Sequence, residues 1–314
     1  MKRVMFLLTF IVFIIALSLL AYAEPIVTDG LVSHWTFDRD DIIDKTVKDV
    51  WGENDATIMG NPKSVGGIVG RAIKLDGSGD FVNLTNLGDF GSKIHSSTFE
   101  AWVKTSDKED WTTLFKVIDP VGLKCYTVWG MDINRTLKIE RDDAWHLNPA
   151  ERDPLDRWGW DSYPFKDGNV LIYFAHKSGA HGCRATAGGW PFQTSDGEWH
   201  HLVYVKGAPY EDEAGEMWRE TAIAMDGRWQ WKTRSKGSVN PGNFVSFTEP
   251  VYLGAGNNRG KAEGFFKGLI DEVRIYNRPL TQEEVIRNYE AGNPLSVEPA
   301  QKLPTVWGAL KARR

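Results

Sequence analysis

The stretch GLIDEVRIYNRPLTQEEVIRNYEAG, Gly268 to Gly292, decides the fold because it holds both a strand and the start of a helix. Leu269, Asp271, Val273 and Ile275 alternate with Ile270, Glu272, Arg274 and Tyr276, the two-residue period of a strand. That period sets one acid, Asp271, on the face of Val273 and Ile275. A carboxylate there needs a partner, since burying it alone is costly unless it is paired or metal-bound. Pro279 then breaks the ladder, and Thr281 with Glu284 three residues later forms a capping box. A short helix is predicted from Gln282, with Val285, Ile286 and Tyr289 as its apolar stripe and Gly292 and Pro294 as its stop.

Upstream, LVSHWTFD (Leu31 to Asp38) alternates as a first strand, with Trp35 and Phe37 on one face. KDVWGENDATIMG (Lys48 to Gly60) places Asp49, Asn54 and Asp55 around Gly52. Such oxygen-rich loops suit a hard cation such as calcium and are equally ordinary turn chemistry. AIKLDGSGDFVNL (Ala72 to Leu84) reads as two short strands around a glycine-rich turn. STFEAWVKT (Ser97 to Thr105) sets Phe99, Ala101 and Val103 opposite Glu100, Trp102 and Lys104, and TLFKVI, YTVWGMDI and TLKIE add three more strand candidates. Strands that recur this often, with turns between them, favour an all-β sandwich over a βαβ architecture.

Taken in order, these segments resemble the laminin-G-like jelly rolls of the concanavalin A-like lectin/glucanase superfamily. The opening strand, the D-x-x-G-x-N-D loop, the D-G-x-x-D-F-V turn and the F-x-x-W-V strand are followed by DGEWHHLVYV (Asp196 to Val205), AIAMDGRW (Ala222 to Trp229) and the closing G-x-I-D-E-V-R-I-Y. The resemblance covers about Leu31 to Tyr289. It implies an all-β, two-sheet antiparallel jelly-roll β-sandwich with one short C-terminal helix. It also implies a structural Ca²⁺ near the first and last strands, for which the matching positions are Asp38, Asp49, Asn54 and Asp271. The competing reading is that Asp271 bonds a backbone N–H or an arginine such as Arg71.

One long segment departs from a compact member of that family. Arg141 to Asp167 is polar and Pro-broken, yet carries Trp145, Trp158, Trp160, Tyr163 and Phe165 beside Arg157 and several aspartates. Loops of this length are functional or disordered, and aromatic density argues against disorder. Trp145, Trp158, Trp160 and Tyr163 can stack on the apolar faces of a sugar while neighbours such as Arg157 bond its hydroxyls; alternatively the rings only pin the loop to the sandwich. The run Ser178 to Gly189 and the charged link Lys206 to Arg219 are smaller irregularities.

The net charge of -5 and the absence of a long basic run argue against a nucleic-acid surface. Lys2 and Arg3 precede an apolar run, Val4 to Leu20, and Ala21-Tyr22-Ala23 reads as a cleavage signal. The expected organisation is a signal peptide at 1–23, a jelly-roll domain at 24–292 and a tail at 293–314, in a protein that is secreted, at the cell surface or periplasmic. An uncleaved membrane anchor is the other reading of 1–23. In an oxidising compartment Cys125 and Cys183, the only cysteines, are candidates for a disulfide, with two buried thiols as the alternative.

For catalysis, glycoside hydrolysis needs two carboxylates facing one bond, and glucanases of this architecture carry E-x-D-x-x-E on a strand. The densest acidic run here, EDEAGE (Glu211 to Glu216), lacks interleaved apolar residues and reads as a solvated loop. His200 and His201 are consecutive, so on a strand they point to opposite faces and cannot share a metal; Trp199, Val203 and Val205 are expected to face the core and His200 outward. The resulting expectation is an exported non-catalytic module that binds carbohydrate or glycoprotein, with a structural calcium and no catalytic residues identified. The alternatives are a glycan-active hydrolase on the same fold and a surface adhesion or scaffold protein that binds other proteins.

Overall fold

The computed structural model describes residues 26–84, 87, 96–108, 112–118, 129–133, 170–177, 183–190, 194–208, 210–236 and 250–293. The chain begins with β1 (Leu31–Trp35), a 3₁₀ turn at Arg39–Asp41, β2 (Ile42–Ile43), β3 (Thr46–Val47), β4 (Ala56–Met59), β5 (Lys63–Gly66), β6 (Arg71–Asp76) and β7 (Phe81–Asn83). Longer strands follow: β8 (Ser97–Lys104), β9 (Thr112–Ile118), β10 (Trp129–Ile133), β11 (Val170–Lys177), β12 (Cys183–Trp190) and β13 (Trp199–Lys206). Next come β14 (Tyr210–Glu211), β15 (Met217–Met225), β16 (Arg228–Lys236), β17 (Tyr252–Leu253), β18 (Gly256–Asn258) and β19 (Lys261–Glu263). The long strand β20 (Lys267–Tyr276) leads into the helix α1 (Gln282–Gly292).

Among the described residues the strands form two sheets, the sandwich of a jelly roll. The nine-stranded sheet runs β14-β15-β13-β8-β20-β6-β5, with β1 also on β20 and β16 on β15. The eleven-stranded sheet runs β12-β11-β10-β9-β17-β7-β4-β3-β2, with β18 joined to β9 and β19 to β18. Pairing is antiparallel throughout, except that β18 lies parallel to β9. Between the sheets, Phe99 of β8 stacks on Phe115 of β9 with ring centroids 3.8 Å apart. Trp35, Phe37, Leu75, Val103, Leu202, Tyr204, Leu253, Val273 and Ile275 complete this core, all essentially removed from water. Each such side chain contributes roughly 1.5–3 kcal/mol of hydrophobic stabilisation.

The nine-stranded sheet is buried on its other face too. Ile26, Val27, Val203, Val205, Ala224, Tyr276, Leu280 and Val285 form a second apolar cluster where α1 and the N-terminal segment lie against it. This corrects the expected facing of β13. Val203 and Val205 belong to the cluster under the helix, whereas Leu202 and Tyr204 face the main core. A strand covered on both sides carries apolar residues at successive positions, so alternation alone cannot tell its two faces apart.

The capping box forms as expected. The Thr281 hydroxyl accepts from the Glu284 amide at 3.3 Å, and the Glu284 carboxylate accepts from the Thr281 amide at 2.8 Å. The stripe differs from expectation. Ile286 is 37% exposed, and Asn288 takes the inward position beside Val285. A polar residue wins that place because its amide reaches a buried carboxylate on β8.

Strand β20 carries the second departure. A β-bulge lies between Asp271 and Arg274, where the ladder to β8 shifts register, and Glu272 adopts a left-handed φ of 49°. Ile270, not Asp271, therefore joins Val273 and Ile275 in the core, and Asp271 stands opposite Trp102. With β8 on one edge of β20, the other edge is shared by β6, paired with Lys267 to Ile270, and β1, paired with Val273 to Tyr276. The bulge sits where these two partners meet.

Candidate functional site

The four positions expected to hold calcium fall into two places. Asp49 organises the loop after β3. Its Oδ1 accepts from the amides of His34 at 2.9 Å, Trp51 at 3.1 Å and Gly52 at 2.9 Å, and its Oδ2 accepts from the Asn54 amide at 3.2 Å. The Asn54 side chain donates to the Ser33 hydroxyl at 2.8 Å, and its carbonyl accepts from the Trp35 indole at 3.0 Å. Asp49 and Asn54 thus stitch their loop to β1.

Asp38 and Asp271 converge instead on the turn between β5 and β6. Oδ2 of Asp271 accepts from the amides of Ile68 at 2.9 Å and Val69 at 3.1 Å, and Oδ1 accepts from the Glu272 amide at 2.8 Å. Asp38 Oδ1 accepts from the Arg71 amide at 2.7 Å. Gly67 and Gly70 are required here, because a Cβ at either would meet a carboxylate, that of Asp271 or that of Asp38. Of the two partners weighed for Asp271 besides a metal, the backbone N–H is the one found.

These contacts test whether a cation suits the site. The Asp49 oxygens already answer four N–H groups, which is the work of a turn. Asp271 is fully buried, and burial together with the adjacent Glu272 carboxylate pushes its carboxyl up to about 9, even though three N–H groups favour the anion. A hard cation beside Asp271 and Asp38 would offset that cost; Asp49 and Asn54 do not share the place. Among the described residues no group of three or more His, Cys, Asp and Glu gathers as a metal-holding cluster.

Two acids do come together under α1, Glu100 of β8 and Glu272 of β20, both essentially buried. Arg274 bridges them, with Nη1 donating to Glu100 Oε1 at 2.9 Å and Nη2 donating to Glu272 Oε2. The Asn288 amide donates to both Glu100 oxygens at 3.0 Å and to the Tyr276 hydroxyl at 2.9 Å, while its carbonyl accepts from the Val27 amide at 2.8 Å. Tyr276 in turn donates to the Val27 carbonyl at 3.1 Å. Burial alone would raise the Glu100 carboxyl, but the His201 imidazole 3.6 Å away and the Arg274 guanidinium hold it down at about 2. Both carboxylates are thus spent on buried partners within the protein, with one guanidinium shared between them. A pair in that state cannot deliver a proton to a glycosidic bond.

His200 and His201 diverge as the strand period requires. His201 is buried, its ring centroid 5.3 Å from Trp102 and 6.2 Å from Tyr289. His200 lies at the edge of its strand, with Nδ1 2.9 Å from Asp226 and Nε2 3.1 Å from Asp196, and the bond to Asp226, ahead of the opposing effect of burial, raises its pKa. His34 behaves oppositely. Burial, and then the Arg274 charge, lower its pKa, so near neutral pH its Nε2–H donates to Glu272 at 2.8 Å from an uncharged ring.

The eleven-stranded sheet turns a second face away from the core, carrying Phe81, Tyr252, Lys116 and Asp132. Phe81 packs on Tyr252 at 4.6 Å and Phe265 at 6.2 Å, with Ala262 of the β18–β19 hairpin against them. Lys116 Nζ donates to Asp132 Oδ2 at 2.6 Å, and the Thr113 hydroxyl donates to Oδ1 at 2.8 Å. All four are buried, so this part of the face is packed rather than open.

The expected ligand residues Trp145, Arg157, Trp158, Trp160 and Tyr163 lie outside the described residues, as do Cys125, the side chain of Cys183, residues 1–25 and residues 294–314. The strands nevertheless locate the roots of the aromatic segment. Ile133 pairs with Val170 and also with Thr112, and Val170 pairs with Trp190, so segment 134–169 leaves and re-enters one end of the eleven-stranded sheet. At the opposite end, Trp129 pairs with Val117 and Lys177 with Cys183, so the β9–β10 connection that carries Cys125 leaves the sheet at the Cys183 end.

Comparison with known proteins agrees with this architecture. The family model described as Laminin_G_3, concanavalin A-like lectin/glucanases superfamily, matches residues 76–286. We found no significant sequence match among curated proteins. Among solved structures, domain 4 of AbnA, a GH43 extracellular arabinanase from Geobacillus stearothermophilus, in complex with arabinotriose, aligns with a TM-score of 0.50 at 20% identity. The alignment covers 83% of this chain and 98% of that one. The receptor-binding domain of botulinum neurotoxin C/D mosaic serotype aligns with a TM-score of 0.52 at 14% identity over 85% of this chain and 55% of that one. The serotype D/C VPI 5993 binding domain gives 0.52 at 10% identity, over 85% of this chain and 53% of that one. This chain therefore spans about half the length of the toxin domains. At such identities the likeness is one of fold.

Two measurements check the buried network. Arg274→Met leaves Glu100 and Glu272 uncompensated and is expected to cost about 3–5 kcal/mol in urea unfolding; adding Glu100→Gln and Glu272→Gln should restore part of it. In the second, unfolding followed from pH 5 to 8 separates the two histidines. The raised pKa of His200 gives stability that is full below its unfolded value of about 6.5 and lost as pH rises through the folded value; His200→Gln should remove that alkaline loss. The lowered pKa of His34 gives stability present above about 6.5 and lost as pH falls toward the folded value; His34→Gln should flatten that acid limb.

Proposed function

Because the chain belongs to the laminin-G-like family of the concanavalin A-like lectin/glucanase superfamily, we propose that it is an exported, non-catalytic module that binds carbohydrate or glycoprotein. The observation that carries this reading is the rooting of the aromatic segment 134–169 between paired strands at one end of the larger sheet. Binding loops are commonly held by rigid strand ends, and on this reading Trp145, Trp158, Trp160 and Tyr163 serve as stacking rings, with Arg157 donating to sugar hydroxyls. The burial of Glu100 and Glu272 against Arg274 supports recognition over hydrolysis. The arabinotriose complex of the arabinanase domain supports a glycan as ligand for this fold, and oligosaccharides are the first probes to use.

Three further features belong to the same proposal. The segment 1–23 directs export, to the medium, the cell surface or the periplasm. Cys125, in the connection between β9 and β10, and Cys183, the first residue of β12, form a disulfide. A Ca²⁺ ion would be held by Asp38 and Asp271, where it would lower the cost of burying the Asp271 carboxylate beside Glu272.

A glycan array read with and without Ca²⁺ tests the binding reading: selective signal that falls on Trp158→Ala and Trp160→Ala is expected, and an array at background in both conditions rejects it. For the ion, EDTA should lower the melting temperature of the wild-type chain and leave that of Asp271→Asn unchanged, since a ligand of the native state stabilises by mass action. A wild-type melting temperature indifferent to both EDTA and added Ca²⁺ removes the calcium.

A further inference from the structure

The loop between β3 and β4 holds an aromatic ring in an unusual state. Trp51 is 50% exposed and its neighbour Val50 is 40% exposed. Single exposed aliphatic residues are ordinary on a protein surface. Trp51, however, is fixed: its indole Nε1–H donates to the Leu31 carbonyl at 2.9 Å, and its amide donates to Asp49 at 3.1 Å. On either side, the Val50 amide donates to the His34 carbonyl at 2.9 Å and the Gly52 amide to Asp49 at 2.9 Å. Gly52 lies so close to the Val32 carbonyl and the Asp49 carboxylate that no Cβ fits, which presses the turn onto β1.

Because its one polar group is satisfied internally, the ring can offer a ligand only its apolar face. Such a face suits the C–H side of a sugar ring, and the exposed Lys48 and Glu53 stand beside it in the chain as partners for hydroxyls. Fixing the ring in advance lowers the entropy lost on binding. Size decides the class of occupant. Two neighbouring side chains fall far below the roughly 800 Å² per partner of a stable protein–protein interface, which favours a small ligand group over a protein partner.

We infer that Trp51 is a carbohydrate-stacking platform that takes one pyranose or furanose residue of a glycan, a subsite separate in sequence from the aromatic segment 134–169. The inference rests on the glycan-binding reading above and extends it to a residue of the β3–β4 loop.

Affinity electrophoresis of the full chain through gels containing arabinan, xylan or mixed-linkage β-glucan separates the two readings. Wild type should be retarded in at least one gel, and Trp51→Ala should bind that polysaccharide about tenfold more weakly, the loss of an aromatic contact of about 1.4 kcal/mol. Trp51→Phe loses the bond to Leu31 but keeps a ring face. Retained binding by this variant, at a lowered melting temperature, identifies stacking rather than loop structure as the role. Should Trp51→Ala run with wild type while both are retarded, the platform is overturned and the glycan-binding reading stands. A wild type retarded in none of the gels, with an array also at background, overturns both.

Discussion

Arg274 is the group on which the helix side of the nine-stranded sheet depends. Two carboxylates buried beneath α1 would repel each other and forfeit hydration at a cost of several kcal/mol each, and one guanidinium, bonded to both, offsets much of that cost. The arrangement reaches beyond the ion pairs. Glu100 holds the Asn288 amide, Asn288 holds the Val27 amide, and Tyr276 closes the ring on the Val27 carbonyl. The segment at Val27, strands β8 and β20 and the closing helix are thereby locked by a few charges and dipoles. The geometry of α1 follows from it: Asn288 faces inward because an amide is needed there, and Ile286 is turned to solvent in exchange.

Carboxylates elsewhere serve the backbone. Asp49 gathers four amides of its own loop and of β1; Asp271 gathers two amides of the β5–β6 turn and one of the bulge. Amide donors that would otherwise be left unpaired in a loop pressed onto a sheet are satisfied by one side chain. The same stitching that satisfies Asp49 also fixes Trp51 at the surface, so a structural motif holds a half-exposed indole in one place. Asp271 answers its amides while remaining next to Glu272, and burial beside that second acid raises its pKa.

Much of the architecture was legible in the residues because it rests on local physics. The capping box at Thr281 and Glu284, the alternation through Ser97 to Lys104 and the turn residues between short strands each specify their element without knowledge of any distant segment. The facing of side chains was less legible. Period-two alternation placed Asp271 with Val273 and Ile275, but the bulge at Glu272 shifts the phase and exchanges Asp271 for Ile270. It likewise assigned a single core face to β13, whereas burial on both sides gives Leu202 and Val203 separate cores. Of the candidate site, the acid positions were readable as a set, but their division between two loops was not.

Alone, then, the sequence determined the class of fold, the closing strand with its capped helix, and which acids and aromatic rings stand available for chemistry, since propensity, period and capping act within a few residues. The tertiary structure decided which of those groups meet. Arg274 and Glu100 are paired although 174 residues separate them, and Asp271 finds the amide of Ile68 across 203 residues. It also decided that Trp51 keeps an open face while Trp35 is sealed within the sandwich, because exposure is a property of everything packed around a residue and is not written at the residue itself.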